Sequence, residues 1–146
     1  MNISNKQQVI GTTETINIIE ANISGIPTKV DTGAFYSSIW ASKIKERDEV
    51  LSFVLFDEDS PYYSGETLNF KKYFQTTIRN SFGQAEERYR VKLTIVFGDH
   101  KFKTDFTLAN RSINRYPVLL GRSLLHNRFI VDVTKNDVHY NKAIQI

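Results

Sequence analysis

Short stretches of alternating apolar and polar residues, or of several apolar residues in a row, recur along the chain. They predict β-strands, because successive side chains on a strand point to opposite faces of a sheet. Clusters of Gly, Pro, Asn, Asp and Ser separate these stretches and predict turns. The predicted strands cover residues 14–19, 28–30, 38–41, 50–56, 67–78, 87–97, 101–108, 118–120 and 129–133.

The segments between the predicted strands complete an all-β fold. Residues 80–84 and 98–100 are typical of hairpin turns, and residues 122–127 predict one short helix. The charged stretch 43–49 is compatible with one helical turn or a loop, and residues 138–146 close the sheet or fray. The pattern predicts a single domain over residues 1–146, built as a β-barrel with one short helix.

Composition narrows the possible functions. The chain has 146 residues, 40% of them hydrophobic and 24% charged, which fits one globular domain with a sizeable core. The absence of Cys excludes disulfides, thiolate zinc sites and Cys nucleophiles. The polar segment 1–8 lacks the apolar stretch of a signal peptide, and no apolar run approaches 18 residues. We therefore expect a cytoplasmic protein without a membrane partner.

The charges are distributed unevenly. The formal net charge is +3, yet residues 67–85 and 106–131 contain no Asp or Glu. If these two basic stretches border one cleft, the cleft would favour anionic ligands. The alternative is a solvated basic face. No nucleic-acid-binding motif accompanies the charge, so we expect no nucleic-acid partner. The basic residues concerned are Lys71, Lys72, Arg79, Arg111, Arg115, Arg122 and Arg128.

The candidate chemistry centres on Asp31, which follows a predicted strand and begins the tripeptide Asp31-Thr32-Gly33. A carboxylate in such a place needs hydrogen-bond donors. Gly33 would adopt a backbone geometry that other residues resist and present its N–H to the carboxylate, while the Thr32 hydroxyl would fix the loop against a neighbour. Alone, this tripeptide is also typical of an ordinary Asx turn.

The surrounding motifs resemble those of retropepsin-like aspartic proteases over about residues 26–133. They are residues 31–34 (Asp-Thr-Gly-Ala), 37–39 (Ser-Ser-Ile), a hairpin with its tip at 80–84, and 119–122 (Leu-Leu-Gly-Arg). In that fold the hairpin is a flap over the substrate, and the apolar-Gly segment packs behind the catalytic loop. The resemblance implies catalytic roles for Asp31, Thr32 and Gly33, and substrate contacts from Ala34, Ser81, Phe82, Gly83 and Arg122.

A closer resemblance is to a bacterial family historically labelled ATP-dependent zinc protease. It rests on residues 29–34, 79–83 with 86–88, 106–112, 116–122 and 131–132. Members are often associated with ATP-grasp ligases that add glutamates to proteins, which implies a glutamate-rich or anionic substrate. Zinc and ATP lack support here, because there is no His-Glu-x-x-His motif, no Cys and no phosphate-binding loop. We therefore expect no metal and no cofactor.

The chain also departs from the retroviral enzymes. Phe35 and Tyr36 follow the Asp-Thr-Gly-Ala motif in place of acidic residues, so Arg122 needs a new partner, and Asp132 is one candidate. Acid–base cleavage of a peptide bond requires two carboxylates that share a proton. Because the chain has one such Asp, the leading hypothesis is a homodimeric aspartic endopeptidase with paired Asp31 residues. Two alternatives stay open: a non-catalytic module that binds a peptide or protein, and a site within one chain that combines Asp31 with another carboxylate, such as Asp132.

Overall fold

The structure is a computed structural model and describes residues 7–80 and 82–139. These residues form mainly strands, and their one helix has four residues. In chain order the elements are β1 (Gln8–Ile10), β2 (Thr13–Ile18), β3 (Ile23–Val30), β4 (Ser37–Arg47), β5 (Val50–Leu55), β6 (Thr67–Phe70), β7 (Phe74–Arg79), β8 (Ala85–Phe97), β9 (His100–Ala109), β10 (Val118–Leu120), α1 (Arg122–Leu125) and β11 (Phe129–Val131).

Six of these strands close into a barrel. Their order is β10, β3, β2, β8, β9 and β4, and β4 pairs back onto β10. Closure leaves these strands with neighbours on both sides, so each buries one face in a shared interior. That interior contains Ile16, Ile26, Leu93, Ile95 and Phe106, each with no exposed side-chain surface. The predicted all-β barrel with one short helix is confirmed.

Two details of the sequence prediction were wrong. The charged stretch 43–49 is mostly strand, because β4 runs to Arg47 and pairs with β5 across a two-residue turn. Both turn residues, Asp48 and Glu49, have positive φ, which suits the right-handed twist of a hairpin. The predicted single strand 67–78 is two strands, since β6 pairs with β5 whereas β7 pairs with β8.

The barrel topology brings the ends of three strands together. β10 lies between β3 and β4, with Leu120 paired to Val30 and Leu119 paired to Ser38. The segment 31–36 connects β3 to β4 and therefore passes directly beside β10. A backbone hydrogen bond from Asp31 N to Leu120 O, 2.9 Å long, ties the start of this segment to β10.

The first and last described strands do not belong to the barrel sheet. β1 and β11 pair in parallel as a separate two-stranded sheet. Val138 and His139 continue past β11 and donate their backbone N–H groups to the buried carboxylate of Glu14. The rest of the predicted closing segment 138–146 lies outside the described residues. Across residues 7–80 and 82–139, no helix is long and apolar enough to cross a bilayer.

Candidate active site

Asp31 occupies the first position of the loop between β3 and β4. Its side chain is partly exposed, and its Oδ1 accepts a hydrogen bond of 3.0 Å from the N–H of Gly33. The N–H of Ala34 donates to the Asp31 carbonyl at 3.2 Å, which closes a tight turn. The predicted donation from Gly33 to the carboxylate is therefore confirmed.

The reason for glycine at position 33 differs from the predicted one. The φ angle of Gly33 lies outside the left-handed region, so its backbone is open to other residues. A Cβ at this position would instead lie 3.3 Å from Asp31 Oδ1. That contact is tighter than ordinary van der Waals distance, so glycine keeps the space beside the carboxylate clear.

The start of α1 supports the loop from behind. Gly121 donates its N–H to the buried hydroxyl of Ser37 at 3.0 Å. The next two residues, Arg122 and Ser123, donate theirs to the carbonyls of Ala34 and Phe35, each at 2.8 Å. Three consecutive N–H groups thus hold the far side of the loop that carries Asp31.

Arg122 contacts the loop rather than Asp132. Its guanidinium donates to the Thr32 carbonyl at 3.0 Å and lies 5.8 Å from the centroid of the Phe35 ring. The suggested pairing with Asp132 is wrong, because that carboxylate accepts from the N–H and hydroxyl of Thr134. These two hydrogen bonds also lower the pKa of Asp132.

A cleft of about 630 Å³ opens in front of Asp31. Its walls come from the loop itself, from β7 and β8, and from the segment around β10. Among the described residues that line it, Asp31 is the one carboxylate, and Asp132 is not among them. The alternative site that combines Asp31 with Asp132 in one chain is therefore wrong. The lining residues are Asp31, Gly33, Ala34, Phe35, Tyr36, Ser38, Thr77, Ile78, Arg79, Arg88, Thr107, Arg111 and Leu119.

Three arginines line the same cleft as Asp31: Arg79, Arg88 and Arg111. Burial lowers the pKa of Arg111 from its ordinary value, the charge of Arg88 acts in the same direction, and the charge of Asp31 opposes both. Arg111 is held in place by a 3.0 Å hydrogen bond from its Nε to the carbonyl of Tyr116. The site thus presents more positive than negative charge to a ligand.

Each of the two acid-free stretches contributes one basic residue to the lining of this cleft. Arg79 comes from one stretch and Arg111 from the other, whereas the other predicted basic residues lie elsewhere. Arg88 was missed as a site residue because the sequence analysis looked for basic stretches without acidic residues, and Arg88 follows Glu86 and Glu87. In the structure it pairs with Glu86 and still lines the cleft.

One wall of the cleft comes from the hairpin of β7 and β8, the predicted flap. Thr77, Ile78 and Arg79 line the cleft, and the hairpin tip extends beyond the lining residues. The Asn80 side chain organises the tip, because its Oδ1 accepts from the N–H groups of Phe82 and Gln84 at 2.9 and 3.0 Å.

The tip residues themselves face solvent. The Phe82 side chain is 88% exposed, and Gly83 has a φ of 79°, a value that favours glycine. Neither residue lines the cleft within this chain. Ser81, also predicted to contact substrate, lies outside the described residues.

The histidines do not form a metal site. Among residues 7–80 and 82–139, no group of three or more His, Asp or Glu side chains is arranged to hold a metal ion. His139 is buried and packs against the Phe97 ring, and His100 packs on Phe129.

Comparison with known proteins agrees with the geometry. Residues 9–142 match a family described as RimB-like, retropepsin-like aspartic endopeptidase RimB. A crystal structure of a protein of unknown function from Legionella pneumophila superimposes with a TM-score of 0.71 at 24% identity, covering 92% of this chain and 99% of that one. The predicted retropepsin-like barrel is thereby confirmed.

Curated relatives bear a different kind of name. A protein of Shewanella halifaxensis called "Probable alpha-L-glutamate ligase" is 29% identical over 138 residues, which are 92% of this chain and 30% of that protein. One of the same name from Parasynechococcus marenigrum is 30% identical over 132 residues, 85% of this chain and 28% of its own length. The chain therefore spans less than a third of these relatives.

Proposed function

This chain belongs to the RimB-like family of retropepsin-like aspartic endopeptidases, and we propose that it hydrolyses peptide bonds as a homodimer with one catalytic Asp31 in each chain. One observation carries the proposal: Asp31 is the single carboxylate among the described residues that line the cleft. The second carboxylate that the reaction needs would then come from another molecule. A two-fold axis beside the cleft would bring two copies of Asp31 together.

The chemistry requires the two carboxyl groups to share one proton. Two carboxylates about 3 Å apart do not both ionise, so one stays protonated. The ionised one takes a proton from water as the water oxygen bonds to the scissile carbonyl carbon. The protonated one gives its proton to the carbonyl oxygen. The tetrahedral intermediate then collapses: the carboxyl that took the proton from water gives it to the amide nitrogen, the other carboxylate takes back a proton from a hydroxyl of the intermediate, and the C–N bond breaks.

The neighbouring residues would position this pair. Gly33 donates to Asp31 Oδ1, and Arg122 fixes the Thr32 carbonyl, so both restrict the direction of the carboxylate. Ala34 lines the cleft where substrate would lie. Thr32 is exposed in the single chain, so its hydroxyl is accessible to the partner's loop. Ser81, Phe82 and Gly83 would close over the substrate and exclude water.

The proposed substrate is an acidic peptide, such as a glutamate-rich segment. Arg79, Arg88 and Arg111 line the cleft around one carboxylate, an arrangement that attracts anions. The names of the curated relatives refer to glutamate ligation, which suits the same chemical class. No metal or cofactor has a role in this mechanism.

A mixing experiment tests the paired site directly. Purified chain is incubated with a glutamate-rich peptide and with a matched glutamine peptide, and cleavage is followed by mass spectrometry. Asp31→Asn should abolish cleavage while the protein stays folded, and EDTA should leave cleavage by the parent unchanged. In an equal mixture of the parent and Asp31→Asn, about a quarter of the dimers should contain two Asp31 carboxylates if chains exchange freely. The cleavage rate should fall to the same fraction of the rate of the parent alone.

The outcome separates the possible sites. Once exchange of chains has been established by refolding the two proteins together, activity that stays at half in the equal mixture would mean that each chain works alone, and the paired site would be wrong. Near-normal cleavage by Asp31→Asn would remove the assigned role of that residue. Sedimentation of the parent as a monomer under assay conditions would contradict the homodimer.

A non-catalytic binding module is the second candidate. It is favoured by the relatives, in which the matched region is less than a third of a protein named as a ligase. In this case the cleft would hold an acidic peptide without cutting it. Tight binding of the glutamate-rich peptide by the parent, with no cleavage at any pH, would support this candidate.

A further inference from the structure

A second cavity lies beside the end of the β7–β8 hairpin that is farthest from its tip. It has a volume of about 280 Å³ and is lined by both apolar and basic side chains. We call it the lysine pocket. Its apolar residues are Phe70, Phe74 and Val91, and its basic residues are Lys72, Lys92 and Lys103. None of the described residues that line it is acidic.

One side chain separates the lysine pocket from the catalytic cleft. The guanidinium of Arg90 lies 4.8 Å from the centroid of Tyr36, which lines the cleft, and 4.7 Å from that of Phe74, which lines the pocket. Its Nε also donates to Thr76 on β7 at 3.0 Å. A peptide that leaves the cleft past Tyr36 would therefore reach the lysine pocket next.

The balance of charge around the pocket is positive. Asp105 is the nearby acid, and it is already paired with Arg90 at 3.4 Å and with Lys92 at 3.2 Å. Lys72 and Lys103 have no ion-pair partner among the described residues and are exposed. Two lysines thus remain available to a carboxylate beside an apolar surface.

We propose that the lysine pocket binds glutamate side chains of the substrate that lie beyond the part held in the cleft. The methylene groups of a glutamate would pack on Phe70 and Phe74, and its carboxylate would meet Lys72 or Lys103. This inference rests on the proposed acidic peptide ligand but not on its hydrolysis. It makes affinity depend on peptide length as well as on charge.

Length dependence of binding provides the test. The full chain carrying Asp31→Asn is titrated into labelled oligoglutamates of about four and about twelve residues, the longer spanning roughly 40 Å when extended. Binding is measured by fluorescence anisotropy at moderate ionic strength. In the same background, Lys72→Gln with Lys103→Gln is compared with Lys45→Gln plus Lys135→Gln, an equal charge change at exposed residues that line neither cavity.

The pocket variant should weaken binding of the long peptide about three- to tenfold, as expected for two partly exposed ion pairs. It should leave the short peptide unchanged, and the control variant should leave both unchanged. Equal loss for both lengths, or no loss, would overturn the proposal. So would tighter binding of a single-stranded oligothymidylate of about twelve nucleotides that is lost in the pocket variant, since the ligand would then be nucleic acid. If the parent showed length-dependent binding but did not cleave the peptide, the lysine pocket would be supported as a binding site, and only the proposed peptidase activity would be refuted.

Discussion

Gly121 lies so close to Tyr36 that a Cβ on the glycine would be 2.6 Å from the Tyr36 carbonyl carbon and oxygen. The contact is between two stretches of backbone, so neither side has a flexible end to move away. It allows the start of α1 to donate its N–H groups to the loop that carries Asp31. Glycine is thus required here for close approach.

Gly121→Ala is expected to destabilise the fold by about 1–3 kcal/mol, the usual range for an overpacked interior. Denaturant unfolding measures the change. Gly83→Ala is the control, because its methyl meets nothing within 4 Å and only its φ of 79° is unfavourable. That backbone term is about 1 kcal/mol. A Gly121 variant as stable as the parent would show that the loop and helix are not closely packed.

Two adjacent serines should respond differently to the same substitution. Ser37→Ala removes the acceptor for the Gly121 N–H and leaves that buried donor unpaired, which costs about 1–3 kcal/mol. Ser38→Ala should be nearly neutral or stabilising, because the Ser38 hydroxyl is buried without a hydrogen-bond partner among the described residues. Unfolding free energies from denaturant titration distinguish the two. Equal effects would contradict the role given to the Ser37 hydroxyl.

Local signals were sufficient to predict the elements around the candidate site, and the resemblance to the retropepsin-like family joined them into one site. The Asp31 turn, the apolar segment before Gly121 and the hairpin tip at 80–84 each depend on residues adjacent in sequence. Turn residues and apolar runs involve only a few adjacent positions, so they can be recognised in the sequence without knowledge of the fold. The same reasoning missed β4 beyond Ala41, because its exposed, charged end is a strand only through pairing with β5.

Long-range contacts could not be predicted from these signals. Arg88 and Arg111 line the same cleft as Asp31 because β8 and β9 are neighbours in the barrel, and no local pattern shows that pairing. The sequence pattern indicates an ordinary polar strand position at Glu14, yet its carboxylate is fully buried. Its donors include backbone groups 124 and 125 residues away.

Glu14 should be critical for anchoring the end of the described chain. Its carboxylate accepts from the N–H groups of Gly11, Val138 and His139 at 2.8, 3.1 and 2.8 Å. Glu14→Gln places an amide donor among these donors and should cost at least about 2 kcal/mol. Hydrogen exchange at the Val138 and His139 amides should accelerate. Glu66→Gln is the exposed control, and unchanged amide protection in Glu14→Gln would contradict the prediction.

Asp132 should contribute stability that depends on pH. Its pKa is lowered by the Thr134 hydroxyl and backbone N–H, so the folded state binds this proton less readily than the unfolded chain. The contribution is therefore complete above the unfolded pKa of about 4 and disappears as pH falls through the lower folded value. Asp132→Ala should lower the denaturation midpoint near neutral pH and match the parent in strong acid. A difference that persists in acid would mean that the carboxylate charge is not responsible.

Arg111 should select for acidic peptides, since it lines the cleft with Asp31 and is fixed to the Tyr116 carbonyl. Arg111→Gln in the Asp31→Asn background should weaken oligoglutamate binding about tenfold or more, the effect of one charge-assisted contact. Arg115→Gln is the matched control, because Arg115 belongs to the same loop, stacks on Tyr116 and does not line the cleft. Both variants should bind a weakly held oligoglutamine equally. Raising the salt concentration should reduce the difference between parent and Arg111→Gln, because the interaction is electrostatic. If Arg115→Gln weakened oligoglutamate binding as much as Arg111→Gln, the affinity would come from the general charge of the surface, and the cleft arginines would not set the substrate class.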